Sequence, residues 1–279
     1  MRATGGPQTV SVEIAVGRSG AVATQDFVIR LFCLVDDRLG SQPKHAQARL
    51  WPSELVTIGL LFALKGSSFR SFYRWLERDY AALFGGLPER TRLLRGLWVH
   101  RQQAEQFLAD PTFFTVIDTY GIELIHPWRY GRSPRQVGRK GFSNHRWIVG
   151  LKLCWLINAH GEVVAWAFST ANTADQRFAR LATPYVGMTI TLADESFNAV
   201  DRSPNLKLCR RGQWNERMLI ETVLSLVHRV CRLKYLWHRT WPYLQMHLAY
   251  VAGVFNALLL LNHELGSDDA WPHIAQYAL

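Results

Sequence analysis

Cysteine, acidic residues and long apolar runs are all scarce in this chain, and each scarcity removes a class of protein. The four cysteines, Cys33, Cys154, Cys209 and Cys231, are widely spaced in apolar contexts and form no CxxC or Cys/His pattern. That excludes a disulfide framework and a zinc site, and it predicts reduced core residues. The ten histidines are equally scattered, with no HExxH or HxxxH pair. The longest apolar run, residues 248–261, contains Asn256 and is shorter than the ~20 residues of a membrane span, so it reads as a core helix. Residues 1–26 hold no sustained apolar stretch of the kind a signal peptide needs. A cytoplasmic, nucleoid-associated protein with no membrane partner is expected. No internal repeat or low-complexity tract is found.

The scarcity of acid leaves a formal charge of +10, from 32 Lys and Arg against 22 Asp and Glu. Such a balance points to a polyanionic partner, either nucleic acid or an anionic membrane surface, and charge alone does not choose between them. With 48% hydrophobic residues the chain can bury the core of one large domain or two modest ones.

Residues 1–25 lack a clear period and read as a tail. From 26 to 110 the pattern is helical, over 26–39, 53–66, 68–86 and 88–110, with Ser53, Ser68 and Pro88 as starts and Gly66 and Gly85 as stops. On the third of these helices Phe69, Phe72, Trp75 and Leu76 share one face, while Arg70, Arg74 and Arg78 recur on the other. With the helix before it and the Gly-Ser-Ser turn between, this resembles a helix-turn-helix with a basic second helix. After Pro111 strands take over: 113–124, a hairpin over 146–171 turning at Asn158-Ala159-His160-Gly161, 188–197 and 205–211. A helix is expected over 173–183 and a long one over 214–234. The order β-β-β-α-β-β-α describes an α/β mixed sheet with helices on its faces. The expected units are a helical DNA-binding or dimerisation domain (26–110), a catalytic domain (111–240) and a C-terminal helix with tail (241–279).

Asp118 is the first residue to ask for chemistry. The stretch 113-FFTVIDTYGIEL-124 is β-branched and aromatic on both sides of it, and a carboxylate in a buried strand needs something to pair with. Asp194 ends a second apolar strand, at the place where sites assemble in α/β sheets. On the long helix, Trp214, Arg217, Glu221, Ser225, His228 and Arg232 form one polar stripe opposite an apolar one. Each acid alone reads first as a structural group, and Arg217 with Glu221 as an ordinary i, i+4 pair. Brought together, the three would repel unless cations neutralise them, and hard divalent ions suit oxygen ligands. Carboxylates of this kind on a basic protein point to two-metal phosphoryl chemistry, with two Mg²⁺ ions per site for which Mn²⁺ can substitute.

Between Glu123 and Glu162 there is no acid at all, while Arg129, Arg132, Arg135, Arg139, Lys140, Arg146 and Lys152 all occur there. Residues 126–146 read as a basic loop with Trp128 and Tyr130 interleaved, a composition that suits phosphate contacts with base stacking.

These residues resemble the DDE transposases of bacterial insertion sequences. The most specific matches are 117-IDTYGIELIHPWRYGR-132, 145-HRWIVGLKLCWLINAHG-161, 170-TANTADQRF-178, 191-TLADESF-197 and 214-WNERMLIETVL-224. In the branch with a short final spacing, the last acid lies in a Tyr-x2-Arg-x3-Glu-x6-Lys signature. That spacing stands here as Trp214, Arg217, Glu221 and His228, with Trp in place of Tyr and His in place of Lys. The resemblance implies an RNase H-like, integrase-type catalytic domain after the all-helical N-terminal domain, with Asp118, Asp194 and Glu221 as the catalytic, metal-binding triad. It implies that Arg217 contacts DNA near the cleaved end, with Trp214 and His228 beside it. The partners it implies are double-stranded DNA, as the element's terminal inverted repeats and its target, and a second copy in a homodimeric synaptic complex. A decayed DNA-binding copy of the same fold and a structure-specific nuclease are the alternatives.

Overall fold

The computed structural model describes residues 24–279 apart from 135, 144–145, 211–216, 237, 239 and 265–273. The chain begins with four helices, α1 (Thr24–Leu39), α2 (Pro52–Lys65), α3 (Phe69–Asp79) and α4 (Arg90–His100), followed by a 3₁₀ segment, Arg101–Phe107. α2 is apolar all round and buried from Pro52 to Leu64, so it forms the centre of the helical part. Its first turn is tied down by the buried Glu54, whose carboxylate accepts the Trp51 N–H at 2.7 Å and the Gly85 N–H at 3.0 Å. It ends at Gly66, where φ is 54°, a left-handed conformation that glycine adopts without strain. Ser68 then caps α3 by accepting the Ser71 N–H at 3.2 Å.

The strands are β1 (Phe114–Ile125), β2 (Arg139–Ser143), β3 (Arg146–Asn158), β4 (Val163–Thr170), β5 (Ile190–Ala193) and β6 (Leu206–Leu208), all in one mixed sheet. β1 is central, antiparallel to β3 on one side and parallel to β5 on the other, and β6 continues parallel beyond β5. β3 pairs on its far edge first with β2, over Arg146–Gly150, and then with β4, over Leu151–Ile157. The remaining helices are α5 (Met218–Val230) and α6 (Trp241–Glu264). One continuous apolar cluster joins α1, α2, α4, α5 and α6 to the sheet face carrying Val116, Leu153, Trp155 and Leu192. A smaller cluster on the opposite face sets Ile117, Cys154, Leu156 and Ala193 against Phe178 and Ala182.

Several expectations change. The run expected to be too short for a membrane span belongs to a 24-residue helix, α6, which is long and apolar enough to cross a membrane. Burial, not length, makes it a core helix: it packs on α1, α2, α4 and the 101–107 segment, and Phe255 lies 5.6 Å from the Trp155 ring on β3. The C-terminal helix thus belongs as much to the helical part as to the sheet. The helix expected over 173–183 is a 3₁₀ segment, Asp175–Tyr185, with Pro184 inside it. The loop expected over 126–146 contains β2, whose basic start hides an edge strand. Cys33 is exposed, unlike the other three cysteines. The tail read over 1–25 lies outside the described residues up to residue 23, and α1 takes in the rest.

Candidate functional site

The site begins with the pairing of β1 and β5. Thr115 faces Thr191, their hydroxyls 2.8 Å apart, and Val116 faces Leu192. Two positions further along these parallel strands come Asp118 and Asp194. Because side chains alternate and neighbouring strands run ~4.8 Å apart, this register directs both carboxylates to the same face of the sheet at the same level. Asp194 leaves the strand with extended backbone and caps the turn that follows, accepting the Ser196 N–H at 2.9 Å as well as the Ser196 hydroxyl. Asp118 accepts the Thr119 N–H at 2.7 Å. Burial pushes the Asp118 carboxyl up to about 7, and the charges of Asp194 and Asp175 push the same way, against the Thr119 hydrogen bond and the Arg217 guanidinium. A carboxylate held beside a second carboxylate at such a level fits a divalent cation, which would relieve both the desolvation and the repulsion.

The third acid stands apart. α5 packs Ile220, Val223, Leu224, Val227 and Val230 against the core and leaves Glu221 on its outer side. There the Glu221 side chain is 51% exposed and pairs with Arg217 at 3.5 Å. No three acids, histidines or cysteines gather closely enough to hold a metal among the described residues. Asp118, Asp194 and Arg217 are therefore brought together, and Glu221 pairs with Arg217 on the outer side of α5. Trp214 lies outside the described residues. His228 lies on the side of α5 that meets β1. It is half-buried 5.9 Å from the Tyr120 ring, its Nδ1 has no hydrogen-bond partner, and burial together with Lys234 lowers its pKa.

Sequence reasoning missed a polar cluster behind Asp118. Asp175, at the start of the 3₁₀ segment, accepts from the Lys152 ammonium at 2.9 Å and the Thr119 hydroxyl at 3.0 Å. Lys152 was expected to join the DNA-facing basic segment, but it is 7% exposed and bound to Asp175. The signal was there: a single lysine inside the apolar run 147-WIVGLKLCWLI-157 needs a buried partner.

The basic, aromatic surface is present at the far end of β1. Arg129, Arg132, Arg139 and Lys140 are exposed, and Trp128 is 83% exposed beside the exposed Tyr130. On the edge of the sheet Lys140 lies 5.3 Å over the Trp147 ring, which meets Phe142 edge-on at 5.7 Å. Arg146 is partly neutralised by Glu123 at 3.0 Å, and Arg135 lies outside the described residues. A cleft of about 670 Å³ lined by Tyr120, Glu123, His126, Arg146 and Lys234 runs along the second half of β1. Arg70, Arg74 and Arg78 project from α3, which turns by 117° from α2, although Arg78 is engaged by Asp79 at 2.6 Å. The chain matches no protein-family model, no curated protein and no solved structure.

Proposed function

We propose that this protein is a metal-dependent DNA transposase with an RNase H-like catalytic domain. The observation that carries the reading is the Asp118 and Asp194 pair, brought level by the parallel register of β1 and β5, with the half-buried Asp118 pushed up to about 7. The order of β1, β3 and β4, with β2 as an added edge strand, then the 3₁₀ segment 175–185, β5, β6 and α5, supports it, because it follows the β-β-β-α-β-β-α order read from the sequence. So do the exposed arginines and aromatic rings beyond the end of β1, since phosphate contacts and base stacking are what a DNA strand asks for.

In this reading Asp118 and Asp194 hold the metal, Mg²⁺ or Mn²⁺, with Glu221 as third ligand. Bound divalent ions would activate a water or a 3′-hydroxyl and stabilise the leaving oxygen. The chain's own part is to present charged oxygens in a partly dry setting and to grip DNA around them. Water attacks the phosphodiester at the element end, the bond to the element's 3′ oxygen breaks and the flanking strand keeps a 5′-phosphate. The released 3′-hydroxyl attacks a target phosphodiester in its turn, expelling the target's own 3′ oxygen as a hydroxyl. Arg217 neutralises Glu221 in the free protein, and a DNA phosphate competes for the same guanidinium. DNA binding therefore frees Glu221 to join the acid pair. Synapsis of two ends asks for at least a dimer.

The Arg217–Glu221 pair, which keeps the third acid engaged, favours a second reading, a DNA-binding protein of the same fold that no longer cuts. One experiment separates the two. Labelled duplexes carrying the gene's flanking ends are incubated with wild type, Asp118→Asn and Glu221→Gln, with Mg²⁺, Mn²⁺ or EDTA. Metal-dependent nicking and joining by the wild type, lost in both variants, supports the transposase. Nicking without joining supports a nuclease, and binding of the ends without nicking supports the second reading.

A further inference from the structure

We propose that Thr119, Asp175 and Lys152 form a positioning chain that holds the Asp118 carboxylate from the opposite face of the sheet, so that its oxygens stay aimed at a bound divalent cation. The inference rests on the reading of Asp118 and Asp194 as a cation site and adds three residues to it.

The geometry runs in one unbroken line. The Lys152 ammonium donates to Asp175 Oδ1 at 2.9 Å, the Thr119 hydroxyl donates to that same oxygen at 3.0 Å, and the Thr119 backbone N–H donates to Asp118 Oδ1 at 2.7 Å. Thr119 pairs with Cys154 and Gly121 with Lys152 across β1 and β3, so the threonine and the lysine share one face. Asp118, one residue away from Thr119, projects from the other. The strand is thus gripped on its back at the residue whose amide fixes the carboxylate on its front.

Stability does not account for this arrangement. The Lys152 and Asp175 side chains are only 9% and 18% exposed, and an ion pair so far out of water gains little over a pair of apolar residues of the same size. What it does supply is direction. With Asp175 Oδ1 occupied by two donors, the Thr119 side chain is fixed and the peptide that holds Asp118 cannot rock.

Thr119 allows a clean test, because Val keeps the branched shape of the strand residue and removes only the hydroxyl, while Ser keeps the hydroxyl. Mn²⁺ binding to the whole protein without DNA is measured by electron paramagnetic resonance for wild type, Thr119→Val, Thr119→Ser, Asp175→Asn and Lys152→Met, alongside thermal denaturation. Positioning residues of this kind typically change metal affinity by ~10–100-fold. The expected result is a loss of about tenfold or more in Thr119→Val, near-wild-type binding in Thr119→Ser, and a melting temperature for the Val variant no lower than for the Ser variant. Mn²⁺ binding by Thr119→Val as tight as wild type overturns the positioning chain while leaving the cation site standing. A wild type that binds no Mn²⁺ overturns the cation site itself, and the chain with it. If Asp175→Asn or Lys152→Met fails to fold, the two Thr119 variants still decide.

Discussion

Asp118→Asn makes the free protein more stable at neutral and alkaline pH, and less fit for its task. The substitution keeps the shape of the side chain and an oxygen to accept the Thr119 N–H, but removes the charge. In the folded protein the Asp118 carboxyl lies at about 7 against an ordinary value of 3.8, because it is half-buried and largely desolvated beside Asp194. Between those values the folded state holds a proton that the unfolded state has released, so stability falls as pH rises from about 4 to about 7 and is flat beyond. At 1.36 kcal/mol per unit, and allowing for partial solvent access, the ionised Asp118 costs about 2–4 kcal/mol above pH 7. Urea or thermal denaturation in EDTA at pH 4.5 and pH 8 measures it. The two proteins are expected to be close in stability at the lower pH. At pH 8 the Asn variant should be more stable by about 2–4 kcal/mol, on the order of 5–10 °C for a chain of this size. Adding Mg²⁺ at pH 8 should raise the wild-type midpoint and leave the variant unmoved. An Asn variant less stable than wild type at pH 8, or a gap that does not change with pH, refutes the assignment of Asp118 as an electrostatically strained carboxylate.

Other perturbations test the scaffold and the proposed DNA surface. Asn256 in α6 donates to the carbonyls of Phe107 and Val163 and accepts the Val163 N–H, each at 2.8 Å, so Asn256→Leu leaves buried backbone groups unpaired. It should cost ~3 kcal/mol or more, read from the urea midpoint. Gly59→Ala drives a methyl group into the Tyr250 ring, where α2 and α6 cross, and should destabilise by ~1–3 kcal/mol in the same assay. Replacing Arg129 and Arg132 with Gln should weaken binding to any duplex and lower the slope of log affinity against log salt by about 2, one for each phosphate that is no longer neutralised. A slope unchanged from wild type would remove those arginines from the interface.

Much of this architecture was legible because it is written in local pattern. The all-apolar α2, the β-rich run around Asp118, the hairpin turning at Asn158-Ala159-His160-Gly161 and the two-faced α5 all announce themselves within a dozen residues. Asp118 and Asp194 stood out as acids at apolar strands, and their meeting depends only on β1 and β5 lying side by side. What stayed hidden depends on partners far away in sequence. β2 exists because the front half of β3 needs an edge partner, and Gly141 admits it where a Cβ would collide with the Ala171 carbonyl oxygen. Lys152 looked like one more basic residue until Asp175 was set against it. For Glu221 the helical spacing allowed both an active-site acid and an i, i+4 partner of Arg217, and the free protein holds the second arrangement. The membrane question turned on packing in the same way, since α6 passes on length and composition and is decided by what surrounds it.

The central claim is that Asp118 and Asp194 together hold a divalent cation. Anomalous scattering from crystals of the whole protein soaked in Mn²⁺ tests it without assuming any reaction. The account predicts a peak between the two carboxylates, absent in Asp118→Asn, and a second peak reaching Glu221 when a DNA end is bound. Crystals that hold Mn²⁺ elsewhere and show nothing between Asp118 and Asp194 would contradict it.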